Sequence, residues 1–498
     1  MFETKRGNPQ ILYKNNLYVL VKQNDPLKWR CKGNKCTHRI FTDINSAPIN
    51  VQEITEQHTA HQKVSQKEVM MLDSKLYLKE CFFSDPCQPP RKLINRTLRH
   101  TCPKYQQTES TSFNTKDLLH LSQYIQRLKQ LFYGSTVPKD APSLRNFLIH
   151  FKEKKRAHTI TSRNEEFIHI ENDFIFLTTK TNLENLAQCH LIMGDGTFRY
   201  CPRPFTQMYT LHGFKENHFF PGAFIFLEDK SEETYKKMFN ALNSLCNKLC
   251  DKSLNPATFV LDFELAAINS IKSNFEHSKI KACRFHLIQN WFKKIKKNHI
   301  LKYHYESESE VGKWLKCHFG LPFLPPNLVP RAFKELSKSR PIQDSTACSK
   351  FTDYILVNYV QRGADKMFKE TVFAPELWSG EPSDPRQTGE REIRTSNACE
   401  AFHRYFNEVF SRTHPSFLTV LHELLYIQEK TYCIFSSINE GIDIKNYSLT
   451  VNKELSIDVF NKFETLNKSD LNSECIRDYL FDVACRVRIY VESKINSS

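Results

Sequence analysis

Across its 498 residues the chain has no uninterrupted apolar run of membrane-spanning length. Its opening Met1-Phe-Glu-Thr-Lys-Arg-Gly7 puts charges where a signal peptide needs an apolar core. Both absences predict a soluble, intracellular protein without a membrane partner. Lacking a secretion signal, the 16 cysteines read as thiols or metal ligands and not as a disulfide framework. The signature of disorder is missing too: the composition is 40% hydrophobic with 38 Phe and 19 Tyr, which predicts a packed interior. A chain this long divides into two to four domains. Its formal net charge of +15 suits a polyanionic partner such as nucleic acid.

The basic excess concentrates near the start. Up to residue 40, Lys5, Arg6, Lys14, Lys22, Lys28, Arg30, Lys32, Lys35 and Arg39 face only Glu3 and Asp25 as acids, a composition suited to phosphate contact. Short strands are predicted at 11–13, 17–21, 27–31 and 38–42, with turns at Lys14-Asn15-Asn16 and Gly33-Asn34. Cys31, Cys36, His58 and His61 supply two thiolates and two imidazoles in an order that suits tetrahedral Zn²⁺, with His38 as a spare ligand. The alternative is a basic β-domain whose Cys and His bind nothing. Arg6-Gly7, Tyr18, Trp29-Arg30-Cys31, Cys36 to Arg39 and the closing His pair resemble the FLYWCH zinc finger, although that family ends His-x-His where this chain has His58-Thr-Ala-His61. The resemblance implies a DNA reader in which Arg6, Trp29, Arg30, Lys32 and Arg39 meet the duplex.

From 65 to 175 the pattern turns helical, with candidates at 67–81, 90–100, 116–133 and 143–154. Arg91, Lys92, Arg96 and Arg99 on one helix, and Arg127 with Lys129 on another, either grip DNA or form a solvated face. Cys81, Cys87 and Cys102 lack a fourth ligand and read as ordinary thiols. Lys152-Glu-Lys-Lys-Arg156 is a nuclear-import candidate.

Beyond 185 three strand-like runs follow one another, 189–200, 205–214 and 218–228, and then a helix that Ser231 can cap. Strand 257–263, helix 265–275, strand 279–285 and helix 287–297 complete a βββαβαβα order. That is the order of the ribonuclease H-like fold, a mixed sheet flanked by helices, although order alone leaves other α/β folds open. Asp195 sits inside an apolar strand, where a lone carboxylate is costly unless paired or metal-bound. Gly194 and Gly196 are expected to leave room for a metal and a phosphate. Asp262 ends the next central strand. Two such acids can hold Mg²⁺ or Mn²⁺ for two-metal phosphoryl transfer, although a lone acid is more often a cap or turn residue.

Asp195-Gly-Thr-Phe198, Pro204-Phe-Thr-Gln207-Met-Tyr209-Thr-Leu-His212-Gly213, Lys230-Ser-x-x-Thr-Tyr235, Asp262-Phe-Glu264 and Cys283-Arg-Phe-His286 together resemble the core of Mutator-like (MULE) transposases, from about 165 to 430. The stretch from Cys87 to Leu98 is similar to the segment before that core in animal members. The resemblance implies a third acid in a Thr-Asn-Asn-x-x-Glu-x-x-His context, matched by Thr395-Ser396-Asn397-Ala-Cys-Glu400-Ala-Phe-His403 with Ser396 as the departure. Helical spacing puts Ala398, Phe402, Tyr405, Phe406 and Val409 on an apolar stripe and Glu400, His403, Arg404 and Asn407 on a polar face, which either lines the site or faces solvent.

Cys283 and His286 are also half of a zinc site, with His299, His304, Cys317, His318 and Cys348 as complements; alternatively Cys283 is a packing residue. Trp291-Phe-Lys-Lys-Ile-Lys-Lys297 combines basic and stacking groups suited to distorted DNA, or is an amphipathic helix with a wet basic edge.

The expected layout is a FLYWCH-type finger at 1–64, a helical basic linker at 65–175, the first part of the core at 176–298, a helical insertion at 299–394, the third-acid helix and its successor at 395–435, and a helical end at 436–498. The expected function is DDE-type transposition in the nucleus, by a homo-oligomer acting on terminal repeats and target double-stranded DNA. A domesticated DNA-binding regulator without catalysis is the alternative, and a ribonuclease or junction nuclease of the same fold a third reading.

Overall fold

The computed structural model describes residues 2–3, 9–13, 16–22, 27–33, 36, 38–42, 63–84, 88, 90–105, 112–133, 137–154, 159–360, 371–384, 397–410, 413–442, 447–468 and 473–495. Of these, the side chains of 2–3, 22, 397–398, 400, 407, 447–455 and 487–495 lie outside the description. The chain forms two compact units, Met1–Val137 and Pro138–Ser498.

The first unit opens with a meander of five antiparallel strands, β1 (Phe2–Glu3), β2 (Pro9–Tyr13), β3 (Asn16–Lys22), β4 (Leu27–Cys31) and β5 (Arg39–Thr42), in sequence order across the sheet. Alternation decides which side chains pack: Leu27, Trp29 and Cys31 turn inward with Tyr18 and Ile40, while Arg30 and Arg39 stay exposed. Helices α1 (Gln66–Ser84), α2 (Pro90–Thr101) and α3 (Thr115–Tyr133) follow, within a few residues of the predicted bounds. On α2, Leu93 and Thr97 are buried and Arg91, Lys92, Arg96 and Arg99 lie on the exposed face.

The second unit begins with α4 (Ala141–Lys154) and is organised by a seven-stranded mixed sheet. Its strands are β6 (Ile168–Glu171), β7 (Phe174–Leu177), β8 (Leu191–Thr197), β9 (Gln207–Lys215), β10 (His218–Leu227), β11 (Thr258–Leu261) and β12 (Lys279–Ala282), in the spatial order β12-β11-β8-β9-β10-β7-β6. β8, β11 and β12 run parallel and the other pairings are antiparallel.

Two of these strands fall in or across the segment expected to be a helical linker. Asn172 and Asp173 carry φ of 46° and 67°, the left-handed pair of a two-residue hairpin that joins β6 to β7. The strands are too short for their alternation to stand out, and the Asn-Asp turn was the available signal.

Helices α5 (Lys180–Ala187), α6 (Glu232–Cys250), α7 (Leu265–Asn274) and α8 (Arg284–Lys296) interleave with these strands. Ser231 caps α6 by accepting the Thr234 N–H, and the predicted stripe from Tyr235 to Cys246 is buried. Then α9 (His299–Glu306), α10 (Glu310–Cys317), α11 (Val329–Lys338), α12 (Ser345–Ile355) and α13 (Pro375–Trp378) make an all-helical layer. Trp291 and Phe292, expected as stacking groups, belong to its core: Trp291 is fully buried edge-on to Trp378 and Tyr359. The lysines of that helix remain at its wet edge, as its amphipathic reading requires.

After α14 (Asn397–Val409), α15 (Phe417–Asn439) is tied to α5 by a reciprocal buried amide pair, Asn182 Nδ2 to Gln428 Oε1 and Gln428 Nε2 to Asn182 Oδ1, each 2.8 Å. The last helices are α16 (Tyr447–Lys468) and α17 (Ser473–Ile495). Far from being an appendage, α17 closes the helical layer against α10 and α11. Tyr479 donates to the Phe323 carbonyl at 2.6 Å, and a Cβ on Gly320 would lie 2.6 Å from the Leu480 carbonyl oxygen.

His318 sits in this layer, fully buried among Trp314, Phe333 and Phe351, with Nδ1 3.1 Å from the Trp314 carbonyl oxygen. Burial pushes its imidazole down to about 4, against the opposing pull of the Trp314 and Leu315 carbonyls. The unfolded chain therefore binds this proton more readily than the folded one. Between about pH 6.5 and 4 the group is predicted to remove about 1.4 kcal/mol of stability per pH unit as the pH falls. Thermal melts across that range should show the loss in the wild type and a shallower slope in His318→Gln.

Candidate metal and phosphoryl-transfer site

Strand register brings the two aspartates together. β8 and β11 are parallel neighbours with Leu261 opposite Gly194, so the next step along both strands sets Asp262 beside Asp195. Each carboxylate is steadied by the following N–H, Gly196 N to Asp195 Oδ1 at 2.8 Å and Phe263 N to Asp262 Oδ1 at 2.6 Å. His286, from the first turn of α8, completes the cluster: ligand atoms of Asp195, Asp262 and His286 all lie within 4.8 Å of one another.

Asp195 is 8% exposed, whereas 43% of the Asp262 side chain is open to solvent. Burial opposes ionisation of Asp195, yet its carboxyl is held below the usual range because His403, then His286 and the Gly196 N–H, outweigh that penalty. His403 Nδ1 lies 3.2 Å from Asp195 Oδ2, and its Nε2 is 3.4 Å from Thr210 Oγ1. Burial works against a charge on His286, but Cys283, Asp262 and Asp195 around it raise its affinity for a proton well above the ordinary imidazole value. A donor set of two adjacent carboxylates and one imidazole, partly open on the Asp262 side, fits a divalent cation that keeps positions for outside oxygens.

Alternation assigns the two faces of β8 different tasks. Met193 and Asp195 look toward α14, where Cys399 is fully buried on Met193 and Val260 and its Sγ is 3.3 Å from His212 Nδ1. His403 comes from the same helix. It belongs to the polar face that was expected either to line the site or to face solvent, and it faces Asp195 one turn after Cys399. Glu400 lies on α14 between these two contacts, and its side chain is outside the described residues.

The glycines serve the opposite face. A Cβ on Gly194 would strike the Tyr209 hydroxyl, and one on Gly196 would come within 2.7 Å of Gln207 Cδ. The room they leave is filled by β9 side chains and is not space for a metal or phosphate. From there a polar chain runs outward: Gln207 donates to Tyr235, Tyr235 donates to Glu264 Oε2 at 2.9 Å, and Lys230 pairs with Glu264 Oε1 at 3.2 Å.

The other sequence-derived ligands are dispersed. Cys283 is buried at the N-cap of α8 beside His286. Among its proposed complements, His304 is engaged by Ser309 and Asp344 at 2.8 and 2.7 Å, His318 by Trp314, and Cys348 by the Gln343 carbonyl. Among the described residues, clusters of three metal-ligating side chains reduce to Asp195, Asp262 and His286. His286 was thus singled out by its spacing to Cys283, while the structure groups it with the carboxylates. His403 and His212 stood in the quoted motifs without a role of their own, and Cys399 had no distinguishing signal beyond its place next to Glu400.

In the first unit, Cys31 and Cys36 flank a turn closed by Cys36 N to the Gly33 carbonyl at 3.1 Å, and their thiols are within hydrogen-bonding reach of each other. His58, His61 and Arg6 lie outside the described residues. Trp29 is corrected: it is fully buried and its Nε1 donates to Thr42 Oγ1 at 2.8 Å, so it is a core residue and not a DNA-facing one. Arg30 and Arg39 stand directly opposite each other on the exposed face, a like-charge pair that an anion would relieve; Lys32 is exposed as well.

The packing of the glycine face gives a direct test. Gly196→Ala should cost about 1–3 kcal/mol by displacing Gln207, and Gln207→Ala in the same chain should return part of that loss by making room. Chemical denaturation of the two variants checks it.

No curated protein matches the chain. Residues 191–290 match the family model of the MULE transposase domain. That segment runs from β8 through most of α8 and contains Asp195, Asp262 and His286, so the match supports a transposase-type function of the Mutator-like kind.

Proposed function

We propose that this protein is a DDE-type DNA transposase that cleaves and joins DNA at transposon ends with Mg²⁺ or Mn²⁺. The observation that carries the reading is the strand register that sets Asp195 beside Asp262, with His286 in reach, inside the segment matching the MULE transposase domain. The spatial order of the sheet supports it. With β8 as the first core strand, the five core strands are arranged 3-2-1-4-5 with the two aspartates toward the carboxyl ends of the central strands, and this mixed sheet is proposed to be a ribonuclease H-like core.

Asp195 and Asp262 hold the cation, and Glu400 of α14 is the third carboxylate. When bound, the metal lowers the pKa of water or of a DNA 3′-hydroxyl and stabilises the leaving oxygen. The chain's own groups prepare the site. His403 orients Asp195, the Gly196 and Phe263 N–H groups fix one oxygen of each carboxylate, and the Cys399–His212 contact seats the helix that carries Glu400.

The N-terminal sheet is proposed to be a FLYWCH-type finger holding Zn²⁺ with Cys31, Cys36, His58 and His61. The proximity of the two thiols and the opposed Arg30 and Arg39 support it as a phosphate-contacting DNA reader. Nuclear action by a homo-oligomer on terminal repeats and target DNA belongs to the same reading.

Incubation of a pre-nicked end substrate and target DNA with Mn²⁺ tests the chemistry. The wild type should join strands, and His403→Ala should join them about 10- to 100-fold more slowly, as loss of a group that orients a ligand does. Asp195→Ala should fall below that. Undiminished joining by Asp195→Ala would remove the metal-ligand assignment.

A further inference from the structure

Phe198 leaves β8 three residues after Asp195 and is 44% exposed. Single exposed aromatics are common on protein surfaces, but this one is held in place. Its carbonyl accepts the Cys201 N–H at 3.2 Å, and the next carbonyl, Arg199, accepts the His414 N–H at 3.0 Å. The Lys230 ammonium lies 4.0 Å from the ring centroid, a cation–π contact, while the same ammonium pairs with Glu264 two residues beyond Asp262. Through Glu264, Tyr235 and Gln207 the ring and its cation are fastened to the strand pair that positions the carboxylates. The aromatics of α8 are buried in the helical layer and unavailable for stacking, so the exposed ring in sequence reach of the acids is Phe198.

We propose that Phe198 and Lys230 form a nucleotide subsite, in which the Phe198 ring stacks an unpaired base beside the phosphate that a cation on Asp195 and Asp262 would hold, and Lys230 contacts that nucleotide's phosphate. The inference rests on the transposase reading and adds to it a preference for frayed or unpaired DNA at the reacting end. An aromatic face tolerates any base, and a neighbouring ammonium suits the backbone, so the subsite selects for strand separation and not for sequence. Arg199, exposed next to Phe198, adds a second cation on the same segment.

The test uses the full-length protein with Ca²⁺ in place of Mn²⁺ to hold back cleavage, and a duplex ending in a short single-stranded tail that carries 2-aminopurine. A blunt duplex of the same sequence is the reference. The wild type should bind the tailed DNA about tenfold more tightly than the blunt DNA and quench the probe. Phe198→Ala should lose both effects without a change in melting temperature, and Phe198→Trp should keep them. Lys230→Ala should weaken binding of the tailed DNA and make it less dependent on salt. Equal binding of the two duplexes by the wild type, or an unchanged preference and quench in Phe198→Ala, would overturn the subsite. The two readings fail separately. Undiminished joining by Asp195→Ala removes the metal reading whatever Phe198 does, whereas an unaltered Phe198→Ala removes the subsite while Asp195→Ala remains inactive.

Discussion

Two carboxylates on adjacent parallel strands, at the same step of the ladder, are the constraint around which the second unit is arranged. At an effective dielectric of about 20, unit charges about 5 Å apart repel by about 3 kcal/mol, and burial of Asp195 adds to that cost. Nothing in strand pairing alone offsets such a penalty. The surroundings do so with positive and polar groups brought from distant parts of the chain: His286 from the start of α8, His403 from α14, and N–H groups from each aspartate's own neighbour. An apolar pair at these positions would be the cheaper solution for folding, so the presence of both acids supports the cation-binding role proposed for them.

The two faces of β8 carry this arrangement differently. On the acid face, α14 is seated through Cys399 on Met193 and Val260, through the His212 contact, and through His403 on Asp195, so the helix that carries Glu400 is located by three separate interactions. On the other face Gly194 and Gly196 admit Tyr209 and Gln207, and the polar chain through Tyr235 and Glu264 ties the end of β8 to the start of α7. The helical layer, closed by α17, stands behind α8 and fixes the helix that presents His286. Most of the distant parts of the unit therefore bear on one small group of side chains.

How much of this could be read from the sequence follows from how local each signal is. Strands with strong apolar runs and the capped, striped α6 were visible because their information lies within a dozen residues. The hairpin of β6 and β7 was missed because four-residue strands carry too little alternation, although Asn172-Asp173 held the turn. Asp195 and Asp262 stood out as acids in apolar surroundings, but their adjacency is a matter of register, which no local pattern states. The direction of a side chain was the weakest inference. Gly194 and Gly196 were read as space for a ligand when β9 fills them, and Trp29 was read as a surface reader when alternation buries it, while the polar face of His403, left open between site and solvent, meets Asp195. Each of these depends on a partner far away in sequence.

Asp195 and Asp262 are proposed to share a divalent cation. Titration of Mn²⁺ followed by electron paramagnetic resonance, with the wild type, Asp262→Asn and Asp195→Asn compared at equal protein concentration, tests it most directly. One class of tightly bound Mn²⁺ is expected in the wild type, weakened about tenfold or more in either variant. Equal Mn²⁺ binding by the wild type and both variants would contradict it.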